Sequence, residues 1–270
     1  MWRPMAPLAR MMVGILLTTP GCERAGSEAL RRAEHPRPRD GMAPLHEPDL
    51  LLPLNDQPWD RMRENGWDYL RRSSSRDDDV VADATAPYSP ANVLRIVFTP
   101  DMVRDHEPSV HWVSLPATRE VYALWWIKLS PNWSPSPAGG GKMTFLHAAP
   151  DGQGQVYSGL FGSTAPHRVS INTEWAPYGQ HIWDPNVETS AINYGEWYRM
   201  EWYVKWDSAP GAGDGVLRWW VNGVLNGDHA NVQFPVAGVG FQQFEFAPTL
   251  QQPPAQAQYM YVDHTYVSIR

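Results

Sequence analysis

The stretch Trp197-Tyr198-Arg199-Met200-Glu201-Trp202-Tyr203-Val204-Lys205-Trp206, followed after Asp207–Gly215 by Val216-Leu217-Arg218-Trp219-Trp220-Val221-Asn222, decides the fold class. Its even positions from Tyr198 to Trp206 are all apolar or aromatic, whereas Arg199, Glu201, Tyr203 and Lys205 occupy the odd ones. Side chains alternate across a strand, so this pattern predicts a β-strand with one row in the core and the other in water. The second run repeats the pattern, with Leu217, Trp219 and Val221 inward and Arg218, Trp220 and Asn222 outward. The Gly- and Pro-containing segment between them predicts a hairpin loop.

The same period extends outward along the chain. Val121, Ala123, Trp125, Ile127 and Leu129 form an inward row that leaves Tyr122, Trp126 and Lys128 opposite. Val169, Ile171 and Trp175 do the same, leaving Arg168, Ser170, Asn172 and Glu174. Further strands are predicted at Val93–Phe98, Lys142–His147, Val156–Phe161, Gly240–Phe246 and Tyr259–Ile269. Breakers such as Ser134–Gly141 separate them, and no long helical period intervenes. Many short aromatic strands of this kind predict an all-β sandwich or barrel. Eleven of the 14 tryptophans lie between Trp112 and Trp220, and most are expected in its core. Trp126 and Trp220 fall on the polar rows, where burial does not account for them.

The N-terminus reads as a targeting segment. Arg3 and Arg10 precede the apolar run Met11–Leu17, which is too short to span a bilayer, and Thr18-Thr19-Pro20-Gly21 leads to Cys22. This resembles a lipoprotein signal over residues 1–21, which implies a lipid anchor at Cys22 and export to the bacterial cell envelope, or else secretion. Residues 22–52, rich at first in Arg, Glu, Pro and Ala, read as a flexible tether, and residues 53–270 as the domain. Within the domain, Trp59–Tyr69 is spaced for a short helix or first strand, and Arg71–Asp79 reads as a solvated loop. Cys22 is the sole cysteine, so no disulfide framework or Cys nucleophile is expected in the domain. Formal charge is −7, which argues against nucleic acid as a partner and, more mildly, against an anionic substrate unless a groove gathers the bases locally.

The hairpin, read as Gly195–Trp206 and then Asp214-Gly215-Val216-Leu217-Arg218-Trp219-Trp220-Val221-Asn222-Gly223, resembles a motif of concanavalin-A-like lectin/glucanase domains. It is most similar to that of the heparin-lyase-like and glucuronan-lyase-like polysaccharide lyases. Ala86-Pro87-Tyr88-Ser89-Pro90 and Tyr261–Ser268 are similar to segments of the same group. The resemblance implies a jelly roll of two curved antiparallel sheets, with polysaccharide lying across the concave one. It also implies β-elimination, which needs a base for the proton α to a uronate carboxylate, a cation or amide to neutralise that carboxylate, and an acid for the leaving oxygen.

The chain offers Tyr203, Arg199, His147 and His181 for those steps. For substrate contact it offers Trp126, Lys128, Arg168, Asn172, Glu201, Lys205, Arg218 and Trp220. Gln180 is adjacent to His181, so on a strand the two face opposite ways. A glycan-binding domain without chemistry and a structural surface lipoprotein are the alternatives. A glucanase needs two neighbouring carboxylates, and Glu245 in Phe244-Glu245-Phe246 has no partner two or four residues away. No dinucleotide, phosphate-loop or zinc motif is present, and no cofactor is expected, although a structural calcium ion is compatible with the implied fold. His106 and His111 lack ligand-type partners in sequence. A monomer is expected.

Overall fold

The structure is a computed structural model that describes residues 50–51, 66–71, 79–104, 107–135, 140–148, 154–175, 179–234 and 240–269. The signal segment, Cys22, the tether up to residue 49, most of Trp59–Tyr69 and of Arg71–Asp79, and His106 lie outside the described residues.

Fifteen strands and no helix make up the described residues. They are β1 (Leu50–Leu51), β2 (Asp68–Arg71), β3 (Asp79–Val81), β4 (Val93–Phe98), β5 (Ser109–Thr118), β6 (Glu120–Leu129), β7 (Gly140–Ala148) and β8 (Gln155–Phe161), then β9 (Arg168–Trp175), β10 (Gly179–Trp183), β11 (Trp197–Lys205), β12 (Gly215–Val221), β13 (Val224–Val232), β14 (Phe241–Leu250) and β15 (Gln258–Ile269). One sheet of eight runs β13-β12-β11-β6-β15-β4-β3, with β1 beside β15; the other, of seven, runs β10-β9-β8-β7-β14-β5-β2. Every pairing is antiparallel, as the sequence period implies.

The inward rows are those read from sequence. Trp125 of β6 and Trp202 of β11 meet edge to face at 5.7 Å. Both then pack on Phe244 of β14, at 6.2 and 6.1 Å, across the interface between the sheets. Edge-to-face aromatic pairs add to the area term of burial, so this knot is a main source of cohesion between the sheets. Trp206 stacks on Phe234 at 4.7 Å and closes one end.

Five strands escape the sequence reading: β1, β3, β5, β10 and β13. β13 follows β12 through Asn222-Gly223, both with positive φ (51° and 79°), the two-residue hairpin turn that Asn-Gly favours. Leu50–Leu51, placed by sequence in the tether, pairs with Val267 and Tyr266. In β13, Gly227 lies opposite Trp219, and a Cβ there would stand 2.1 Å from the indole. Gly227→Ala is therefore expected to cost about 1–3 kcal/mol by overpacking. A thermal melt unchanged from wild type would show that Trp219 has room to move.

Candidate functional site

The two sheets leave two outer faces, and the residues singled out from sequence divide between them. Arg199, Glu201, Tyr203, Lys205, Arg218, Trp220, Trp126 and Lys128 lie on the outer face of the eight-stranded sheet. His147, Arg168 and Asn172 lie on the outer face of the seven-stranded sheet. The sandwich thus separates Arg199 and Tyr203 from His147, and no single glycan residue reaches both. His181, in the edge strand β10, faces opposite to Gln180 and rests against Trp183, with ring centroids 4.2 Å apart.

The eight-stranded face is not the wet surface that its charged row suggests. Trp220 is 4% exposed, Glu201 3% and Arg199 8%. Trp220 packs with Tyr122, Leu124, Tyr203 and Tyr266 into a second apolar cluster, which also takes in Trp126. Burial therefore does account for Trp220, contrary to the sequence reading. Arg199 pairs with Glu201 at 2.6 Å, and Tyr122 donates to the same carboxylate at 2.5 Å. Burial, then the Glu201 charge, holds the Tyr122 phenol far above its ordinary pKa.

Further along this sheet, Lys128 bonds Asp83 and Thr85 and lies 5.1 Å from the rings of Trp197 and Tyr261. Tyr88 stacks on His264 at 5.0 Å, and Asp263 accepts hydrogen bonds from the Tyr88 and Ser89 amides. The Tyr88 segment thus packs over this end of the face. Lys205 is half-exposed and 3.9 Å from Glu120, while Arg218 bonds Asp228 at 2.6 Å.

The seven-stranded face differs in kind. Strand register places Ser114, Gln243, His147, Gln155, Glu174 and Gln180 in one row across five neighbouring strands and onto the edge strand. The adjacent row reads Trp112, Glu245, Phe145, Tyr157 and Asn172, all buried except the half-buried Trp112. A polar row beside a mixed aromatic one suits a sugar, which presents hydroxyls at its edge and C–H bonds on its face.

His147 stands in the middle of the polar row. Its side chain is 30% exposed, and Nε2 lies 2.8 Å from Glu245 Oε1. Glu245 Oε2 accepts a hydrogen bond from the Gln243 amide at 2.7 Å, which fixes the carboxylate. Phe145 stacks on the imidazole almost in parallel, at 5.8 Å and 6°, and supports the ring from one side. With Nε2 turned to Glu245, Nδ1 is the nitrogen left for proton transfer.

Tyr157 lies diagonally across from His147, and its ring is 5.3 Å from Phe145. Burial, then the Glu174 charge, pushes its phenol up to about 12, against a smaller opposing effect of the hydrogen bond from Gln180. The phenol therefore stays protonated at neutral pH and can donate. Gln155, directly opposite His147, donates from its amide to Glu174 at 3.0 Å. Lys142 lies 4.5 Å from the Tyr157 ring and 3.8 Å from Glu174. Gln180 also reaches Asn172, at 3.2 Å.

Glu245, Gln243, Gln155, Tyr157 and Lys142 were missed from sequence. Gln243 and Glu245 alternate regularly with the inward Phe244 and Phe246, but that they come beside His147 is decided by the pairing of β14 with β7; a register shift between Lys142 and Thr144 breaks the pattern only at Lys142. Glu245 and Glu174 sit three strands apart, about 14 Å at ordinary strand spacing, beyond the reach of a paired-carboxylate glycosidase. His111 faces inward, fully buried, and bonds Ser109 at 3.1 Å. Among the described residues no three His, Cys, Asp or Glu side chains gather as a metal site would require.

No protein-family model and no curated protein matches the chain. Solved structures share its fold. An endo-β-1,4-glucuronan lyase from the fungus Trichoderma reesei is similar with a TM-score of 0.55 at 16% identity, covering 76% of this chain and 92% of that one. An alginate lyase gives 0.53 at 12%, with 75% and 96% covered. An alginate lyase from Chlorella virus gives 0.52 at 11%, with 80% and 100% covered. The chain has the jelly-roll fold of these polysaccharide lyases.

Proposed function

We propose that this protein binds an acidic polysaccharide across the outer face of its seven-stranded sheet and cleaves it by β-elimination. The observation that carries the reading is His147, partly exposed, held by Glu245 and flanked in its row by the amides of Gln243 and Gln155. In this mechanism His147 Nδ1 removes the proton α to the uronate carboxylate. The electrons form the C4–C5 double bond as the C4–O bond breaks. Amide N–H groups of Gln155 and Gln243 hold the carboxylate as its charge delocalises. The Tyr157 phenol protonates the departing oxygen once Gln180, on the exposed edge strand β10, gives way.

Placing proton transfer on Tyr157 and carboxylate binding on amides replaces the Tyr203 and Arg199 roles suggested by sequence, because those two side chains lie on the opposite side of the sandwich from His147. Arg168 keeps its place as a substrate contact, on the same face as His147, whereas Asn172 on that face is fully buried and accepts a hydrogen bond from Gln180. The test is incubation with alginate and glucuronan while following the ultraviolet absorbance of the unsaturated uronyl product. A second reading is a glycan-binding domain without chemistry, favoured by the pairing of Tyr157 with Gln180 and of Lys142 with Glu174. Binding with no absorbance change would select it.

We further propose that the chain is exported as a monomer and anchored to the cell envelope through lipid at Cys22, as the sequence around that residue suggests. Cys22→Ser is expected to abolish incorporation of labelled fatty acid and to shift the protein into the soluble fraction. Label retained on that variant would dismiss the anchor.

A further inference from the structure

Charge on the seven-stranded face points to a substrate more specific than a uniform polyuronate. Among the described side chains its outer cations are Lys142 and Arg168, against the carboxylates of Asp68, Glu174, Asp184 and Glu245. Each cation has a carboxylate close by: Lys142 has Glu174 at 3.8 Å, and Arg168 has Asp184 at 3.2 Å. Ser170 also bonds Asp184, at 3.0 Å. The groups flanking His147 in its row are neutral amides, Gln243 and Gln155. A polymer with one carboxylate on every residue would bring negative charge against Glu174 and Asp184 at each neighbouring subsite. Like charges so placed are repelled, and clefts of one sign exclude ligands of the same sign.

We infer that the site takes an acidic heteropolysaccharide in which isolated uronates are flanked by neutral sugars, and that Glu174 is a specificity-determining residue. This rests on the proposed function of the same face. The isolated uronate meets the amides beside His147, and the neutral neighbours meet Gln180 and the paired Lys142 through hydroxyls. Glu174 is exposed at 44%, so it can meet a bound chain, and it neutralises the Lys142 ammonium that a polyuronate would otherwise use. Glu174→Gln keeps the acceptor for the Gln155 amide while removing the charge.

The experiment measures affinity by calorimetry for two probes, polyglucuronate and an alternating copolymer of glucuronate with a neutral hexose, at low and high salt. Product absorbance is followed in parallel, and circular dichroism checks the fold of the variant. Wild type is expected to favour the alternating copolymer, and its weak polyglucuronate binding should hold or improve with salt as repulsion is screened. Glu174→Gln should tighten polyglucuronate binding by about 2- to 5-fold at low salt, the scale of one surface charge contact, and leave the copolymer near its wild-type affinity. Preference of wild type for polyglucuronate, or an unchanged ratio in Glu174→Gln, would overturn the inference while leaving the lyase reading intact if product still forms. Absence of binding and of product with both polymers would overturn both.

Discussion

Replacing His147 with Asn is expected to reduce product formation from a uronate polymer by about 10²- to 10⁴-fold, the usual contribution of a positioned acid–base group. Asn has no basic nitrogen in this range, and its amide ends near the position of Nδ1, so the contact of Nε2 with Glu245 at 2.8 Å is given up as well. Folding should be preserved, because the side chain is part exposed and lies outside the core between the sheets. Glycan affinity should change little, which separates lost chemistry from lost binding. Tyr157→Phe is expected to slow the reaction with a smaller loss, since water can serve the leaving oxygen. The wild-type alkaline limit should not come from Tyr157, whose phenol remains protonated to about pH 12. Full activity in His147→Asn would remove the seven-stranded face from consideration as a reaction centre.

The second large effect concerns stability. Arg199→Met leaves the Glu201 carboxylate buried with only the Tyr122 hydroxyl as its hydrogen-bond donor. Breaking a buried ion pair from one side typically costs 3–5 kcal/mol, here roughly 6–20 °C in Tm for a domain of this size. The double variant Arg199→Met/Glu201→Gln removes the stranded charge and keeps an acceptor for Tyr122. It is expected to recover more than half of the loss. Neither variant should alter glycan binding where it remains folded, because the pair lies on the opposite side of the sandwich from His147. A stable Arg199→Met protein that no longer binds glycan would move the site to the eight-stranded sheet.

These two experiments address a division that sequence could not make. Inward rows were legible wherever the period of two was unbroken: Val121 to Leu129, Val169 to Trp175, Tyr198 to Trp206 and Leu217 to Val221 all face the core as expected. The hairpin after β12 was legible too, since Asn222-Gly223 carries its own turn signal, but β13 behind it is mixed in polarity and gave no clear alternation. His147 was singled out as one histidine among several. Its partners were not, because which residues of neighbouring strands come beside it is set by strand order and register, and alternation within one strand does not carry that information.

From sequence alone, strand parity determined that this chain forms a sandwich and which side chains line its centre, because alternation is a local property of extended backbone. Only the tertiary structure decided which polar side chains share an outer face and which of them are buried there. The Tyr88 amide reaches Asp263 across 175 residues of chain, and its ring stacks on His264 over one end of the eight-stranded face. A charged row looks the same in sequence whether it meets water or a covering layer, and burial is settled by what packs above it.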